Sequence, residues 1–436
     1  MQCLPVKSRP QHGAIVLLVM VSLSVILGLI TTGYMLLITS QHRLVSQSME
    51  WNTALTMAEA GIEEGLAQIN INYGTNYVGS AMTNWTYTGS SFGPVTRTLS
   101  NGSYSAVIML GGGPCPSIIA TGYAAQLYNL PPVKRVVQVT TTNWSPFQAA
   151  MTVQYNFDSK GSGITLDSYD SSDPNHSTNG MYDASTRMAG GDIASLWGPV
   201  TIQGATVYGK LRIGPLASYS IGNGSVGDLT WNTPGGIESG WFENDFNATF
   251  RDVDPPFTSG FPVVPVNIGT NTYILSTGDY YVGGDFTINN NETLYINGNT
   301  RLYVTGNFNM KAQNASFISM APGASLKLYI GQPGGTPVAA TFAQVNNSGA
   351  AISFSVYGLP TLTTMTWNGN TAFVGNLYAP EADLSLGGGG STIYDYQGSL
   401  TVRSVGMNGH FNFHYDQNLA RAVPGTGFLV TGWQEL

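Results

Sequence analysis

The chain is 436 residues long, with only 9% of them charged, a formal net charge of −8 and two cysteines. An acidic chain this poor in Lys and Arg has no electrostatic footprint for nucleic acid. Two cysteines make no disulfide framework when Cys3 belongs to an N-terminal leader, so Cys115 reads as a small loop residue. The low charge is not a sign of disorder, because 54 Gly accompany 23 Tyr and 17 Phe, a composition that fits a turn-rich β protein outside the cytoplasm.

Residues 14–38, AIVLLVMVSLSVILGLITTGYMLLI, carry no charge. At ~1.5 Å per residue a helix of this length crosses a ~30 Å hydrocarbon core. Lys7, Arg9 and His12 precede it. By the positive-inside bias they put the N-terminus in the cytoplasm and the bulk outside, as a single-pass protein of the inner membrane. A removed secretory signal has a shorter apolar core, ~7–15 residues, whereas here the helical pattern runs on to about residue 70. Leu44, Ser48, Trp51, Leu55, Ala58, Ile62, Leu66 and Ile69 recur at steps of three and four and draw one stripe. That stripe is expected to pack on the chain's own β domain. Gly28, Gly33, Gly61 and Gly65 lower helix propensity, and close helix–helix approach is the expected return. Residues 72–77, NYGTNY, stop the helix.

A short basic leader ending in Gly13, the apolar helix, and then SQSMEWNTALTMAEAGIEEGLAQIN with its Ala58-Glu59-Ala60 segment resemble the N-terminal module of type IV pilin-like proteins, nearest the PilX-type minor pilins. The resemblance covers about the first seventy residues. It implies cleavage by a prepilin peptidase after Gly13, methylation of the new N-terminal Ala14, and packing of the helix with other pilin-like subunits. The fifth mature position is Leu18, where pilins carry a glutamate that neutralises a neighbour's buried terminal amine; an unpaired charge there is costly. A chain without it suits a filament tip, as in GspK-like pseudopilins, better than a repeatedly stacked position.

Residues 71–150 are expected to form a small β head on the helix, with the segments from Ser103 and from Arg135 pairing in one antiparallel sheet. Gly111-Gly-Gly-Pro lacks the Lys-Ser/Thr of a phosphate loop. From 151 to 436 short alternating strands close repeatedly on Gly-Asn, Gly-Asp or Asn-Gly, as in Arg301-Leu-Tyr-Val-Thr-Gly-Asn. Strands this short bury a face only by stacking, so the fold class predicted is α+β, mainly β: a long N-terminal helix followed by a β-solenoid (parallel β-helix), with a β-sandwich as the alternative. The stretch from Asn376 to Arg421 resembles a domain that often follows pilin-like helices in bacterial surface proteins. Residues 235–265 interrupt the strand rhythm with Pro255, Pro256, Pro262 and Pro265; their aromatics, from Trp241 to Phe261, are expected to lie along the stack and cover an apolar face. A carbohydrate platform is the sharper reading of them.

Candidate sites are few. His410, Asn412, His414 and Asp416 share one face of a strand and Phe411, Phe413 and Tyr415 the other. Two histidines four residues apart on a strand stand about 13–14 Å from each other, too far for one ion, so no metal is assigned there. Asp167, Asp170 and Asp173 are weak calcium candidates without the ligand spacing of an EF-hand, and ordinary turn chemistry accounts for them. No nucleophile–base motif and no cofactor motif occurs; Asp252 and Asp254 are the one carboxylate pair beside aromatics. The expected function is a pilin-like structural or surface-display subunit acting in adhesion or assembly, with processing residues Gly13 and Ala14. Its expected partners are the lipid bilayer and other pilin-like subunits, and surface glycans are a further candidate. The alternative is a membrane-anchored carbohydrate-binding or polysaccharide-cleaving β-helix protein.

Overall fold

The computed structural model describes residues 12–71, 82, 84–110, 115–125, 131–143, 145–231, 233–311, 316–368, 371–387, 392–407, 411–422 and 427–436. Lys7 and Arg9, the 72–77 stop, the 111–114 loop and His410 lie outside them. The chain is mainly β with one long apolar N-terminal helix, and it divides into two compact units: Met1–Asn143 with Thr426–Leu436, and Trp144–Gly425.

In the first unit, α1 (His12–Ile71) is a single 60-residue helix. Strands β1 (Ser91–Leu99), β2 (Gly102–Met109), β3 (Ser117–Ala124) and β4 (Val133–Asn143) form an antiparallel meander. β2 and β4 share one sheet but do not pair with each other as expected: β3 lies between them. A fifth strand, Phe428–Glu435, pairs antiparallel with β4. This corrects the expectation that the second domain runs to residue 436: the last strand completes the head, and Asn70 Oδ1 ties its backbone to the end of α1 by accepting from Phe428 N at 2.6 Å.

The face of α1 that packs on this sheet is Ala54, Met57, Ala58, Gly61, Ile62, Gly65 and Ile69, whereas Leu44, Ser48 and Trp51 of the expected stripe stay exposed. The expected stripe therefore packs from Leu55 onward, with Leu55 and Leu66 partly buried at its margin, and the glycines set how closely it sits. A Cβ on Gly61 would lie 2.9 Å from Ala120 Cβ, and one on Gly65 2.7 Å from Ile118 Cγ2. These two glycines therefore serve close helix–sheet approach, while Gly28 and Gly33 have no neighbour within 4 Å. At the rim, Glu64 Oε2 accepts from Tyr104 Oη at 2.6 Å and Glu64 Oε1 meets Arg97 Nη2 at 2.8 Å.

In the second unit the ladders between strands are parallel, apart from the short pair of Pro265–Ile268 with Asn271–Val282. A β-sandwich of antiparallel strands has no such pattern. Most rows stack on one some twenty to forty residues away, and equivalent positions form columns. One apolar column runs Leu302, Leu328, Val356, Leu377, Leu400, Met151, Ile193 and Leu211, and each of these side chains is buried. Burying one such side chain stabilises by about 1.5–3 kcal/mol relative to leaving it in water, so the column is where the short strands acquire a core. A second, outward column is tyrosine over five rows: Tyr281, Tyr303, Tyr329, Tyr357 and Tyr378.

The rows do not stack in chain order. After Tyr394–Met407 comes Met151–Val153, with Leu400 paired to Met151, and the rows then continue through Ile193–Ser195 to Phe242–Glu243. The chain must then return to the other end of the stack. Residues 244–261 make that return. Phe246 N donates to Ile213 O at the far end, Arg251 exchanges hydrogen bonds with Tyr378 Oη midway, and Phe261 N donates to Asp279 O in the near row. The expected interruption over 235–265 is narrower than predicted, since Gly236–Ile237, Phe242–Glu243 and Pro265–Ile268 are strands.

Candidate functional site

Gly13 and Ala14 both lie within α1. From Ile15 to Leu37 the large apolar side chains of α1 are exposed, Leu18 at 70%. By length and composition this helix can cross a membrane. Four of its polar residues are satisfied within the helix: the hydroxyls of Ser22, Ser24, Thr31 and Thr32 donate to carbonyls three or four residues back, which suits an apolar surround.

A cluster of polar and charged side chains in the second unit surrounds His414, on the strand Phe411–Asp416. Alternation on that strand sends Phe411 and Phe413 into the core and turns Asn412 and His414 the other way. His414 is nevertheless only 2% exposed. Its Nδ1 lies 2.5 Å from Asp167 Oδ1, on the neighbouring strand Phe157–Tyr169, and its Nε2 faces Asp395 Oδ1 at 3.3 Å, on the strand Tyr394–Met407. The Tyr182 ring stacks on the imidazole, with centroids 3.5 Å apart and planes 17° from parallel. Tyr182 Oη donates to Asp167 Oδ2 at 2.8 Å and Arg187 Nη1 approaches the same oxygen at 3.8 Å. Asn412 Nδ2 donates to Asp395 Oδ1 at 3.2 Å.

Burial alone would push the His414 imidazole down, but the two carboxylates outweigh it and hold its pKa above the ordinary value. The contact with His414 holds the Asp395 carboxyl below its ordinary range, against partial burial. Burial, with Asp167 beside it, pushes the Tyr182 phenol up. Two residues further along the strand, Asp416 accepts from Ser171 N and Asn418 N through Oδ1, and burial raises its pKa.

The three calcium candidates do not converge. Asp167 is buried against His414, Tyr182 and Arg187. Asp170 binds Ser172 and pairs with Arg421, and Asp173 accepts from Asn175 in a turn. Among the described residues no group of three His, Cys, Asp or Glu side chains is arranged to hold a metal ion. Asp252 and Asp254 are exposed on the return segment. Of the aromatics there, Phe257 packs edge-on to Tyr303 at 5.9 Å under Arg301, and Phe261 lies against Tyr280. The sequence pointed to His414 and Asp167 separately but not to their pairing, and Tyr182, Arg187 and Asp395 carried no signal at all. The partners of His414 come from strands and a loop up to 247 residues away.

Residues 258–422 match a family model described as a domain of unknown function, DUF7305. The matched span starts on the return segment and covers the rows up to the His414 strand; the rows from Met151 to Glu243 that stack on it lie outside. Comparison with curated proteins found no match, and neither did comparison with solved structures.

Proposed function

We propose that the protein is a pilin-like structural subunit, anchored in the membrane by α1 and carrying a β-solenoid outside the cytoplasm as a minor or tip component of a type IV pilus or related filament, in adhesion or assembly. The observation that carries this reading is the division of labour along one unbroken helix: its first half is apolar and exposed, and its second half is seated on an antiparallel sheet through Ala58, Gly61 and Gly65. Such a helix has one half free for lipid or for other helices and one half that carries a globular load. The parallel rows and repeating columns of the second unit support the solenoid reading.

The experiment is mass spectrometry of the N-terminus of native protein, taken from sheared surface material and from membranes, with Gly13→Val alongside. A methylated Ala14 in sheared material, absent in Gly13→Val, is the expected result. An intact leader found only in membranes, or leader removal unchanged in Gly13→Val, would replace the filament subunit with a simple anchored protein.

A further inference from the structure

The 170–191 segment leaves the strand Phe157–Tyr169 and returns to Ile193–Ser195. Its two ends are pinned by Asp170 with Arg421 and by the Ser168–Met188 bridge. Its middle is held through Tyr182, which lies on the His414 ring, donates Oη to Asp167 and donates its backbone N to Gln397 Oε1 at 3.2 Å. These contacts lie at the junction where the row Phe411–Asp416 meets the row Phe157–Tyr169 and the stack departs from chain order.

The geometry around the imidazole constrains its protonation. A neutral imidazole has one N–H and one lone pair. His414 has a carboxylate at each nitrogen, Asp167 at 2.5 Å and Asp395 at 3.3 Å, so the neutral ring would set its lone pair against one of them. Nε2 makes no hydrogen bond, but a proton on it would face the Asp395 carboxylate at 3.3 Å instead of a lone pair, so the imidazolium is the form that suits both carboxylates. The cation also attracts the Tyr182 ring stacked on it. The charged and titratable groups that face this ring are Asp167 from one neighbouring strand, Asp395 from the other, and Tyr182 and Arg187 from the loop; Asn412 and Gln397 are neutral. With His414 protonated the cluster balances two carboxylates with two cations. When His414 loses its proton, buried Asp167 keeps its hydrogen bond from Tyr182 Oη but Arg187, 3.8 Å away, is the one cation left beside it, and Tyr182 loses the cation beneath it.

We propose that His414 is a proton-operated latch: protonated, it clamps the middle of the 170–191 segment across the junction between the two blocks of rows, and deprotonated, it releases that segment. The clamp is complete below the ordinary imidazole value of 6.5, because a folded state that holds the proton more tightly is favoured there. It weakens as pH rises through the elevated folded value. The proposal does not depend on the filament reading.

The test is hydrogen–deuterium exchange of the full chain in detergent at pH 6 and pH 9, corrected for the chemical exchange rate. Amides around 178–186 should lose protection at least about tenfold at pH 9 as the segment opens locally, while Leu326–Ile330 stays protected. In His414→Gln the segment should exchange fast at both pH values, and Asp395→Asn should move release to lower pH. Equal protection of wild type at both pH values, or wild-type pH dependence in His414→Gln, overturns the latch. Should His414→Gln not fold, the ring nitrogen shifts of His414 in the wild type decide: a doubly protonated ring at pH 6 that loses its proton together with segment release supports the latch, and a neutral ring at pH 6 overturns it.

Discussion

Gly122 shows how little room the head leaves at the residue scale. A Cβ there would lie 2.0 Å from Ala54 O and 2.4 Å from Ala58 N, both helix backbone. Gly122→Ala must therefore push α1 off the sheet, at a cost of about 1–3 kcal/mol or more. Thermal unfolding of the full chain in detergent should show the loss, whereas Gly28→Ala, with nothing within 4 Å and a better helix former in place, should cause none. Glu64 gives the head a pH response of the opposite sign to the latch. Burial raises its pKa, but hydrogen bonds from Arg97 and Tyr104 win and lower it, while the Tyr104 phenol is pushed up to about 12, mainly by burial. A depressed carboxyl contributes stability above the ordinary 4.5 that is lost as pH falls through the folded value. Glu64→Gln should accordingly flatten the acid side of the stability curve below about pH 4.5 and leave Gly122→Ala's deficit unchanged at neutral pH.

Among elements, the return segment 244–261 is the one whose role is set by its neighbours rather than by its own pattern. It has no ladder of its own over most of its length, and its prolines supply no backbone donors. It is held by side chains of the rows beneath it, above all Tyr378, whose hydroxyl accepts from Arg251 N at 3.0 Å and donates to Arg251 O at 2.8 Å. Val253 packs beside it, against the cluster of Phe147, Ala351, Val374 and Leu419. Tyr378→Phe removes both bonds and keeps the ring, so about 1–3 kcal/mol of local stability should go. Limited proteolysis within 246–261 should accelerate while the rows remain protected. Equal cleavage in both proteins would mean that packing alone holds the segment.

Over the whole molecule, stacking out of chain order makes residues far apart in sequence share one cooperative core. Leu400 is buried between Leu377 and Met151. Leu400→Ala opens a cavity in that column at a cost of about 2–5 kcal/mol. Hydrogen exchange should quicken in both Phe373–Leu386 and Met151–Val153, although some 220 residues separate them in the chain. A response confined to residues near 400 would show the two blocks to be independent.

The sequence alone determined the long apolar helix, the mainly β composition of the chain beyond that helix and the inward face of strands such as Phe411–Asp416. These are local properties: hydropathy over a window and alternation along a strand depend on neighbours in the chain. It also placed the aromatic, proline-rich segment outside the strand rhythm. Only the tertiary structure decided which row lies on which, that Phe428–Glu435 closes the head, that Gly61, Gly65 and Gly122 let α1 sit close on the sheet, and that His414 meets Asp167, Asp395 and Tyr182. The reason is that short alternating strands are interchangeable by pattern, since any one of them can stack on any other. The choice among them is made by the fit of whole columns of side chains, and that fit exists only once residues hundreds of positions apart are side by side.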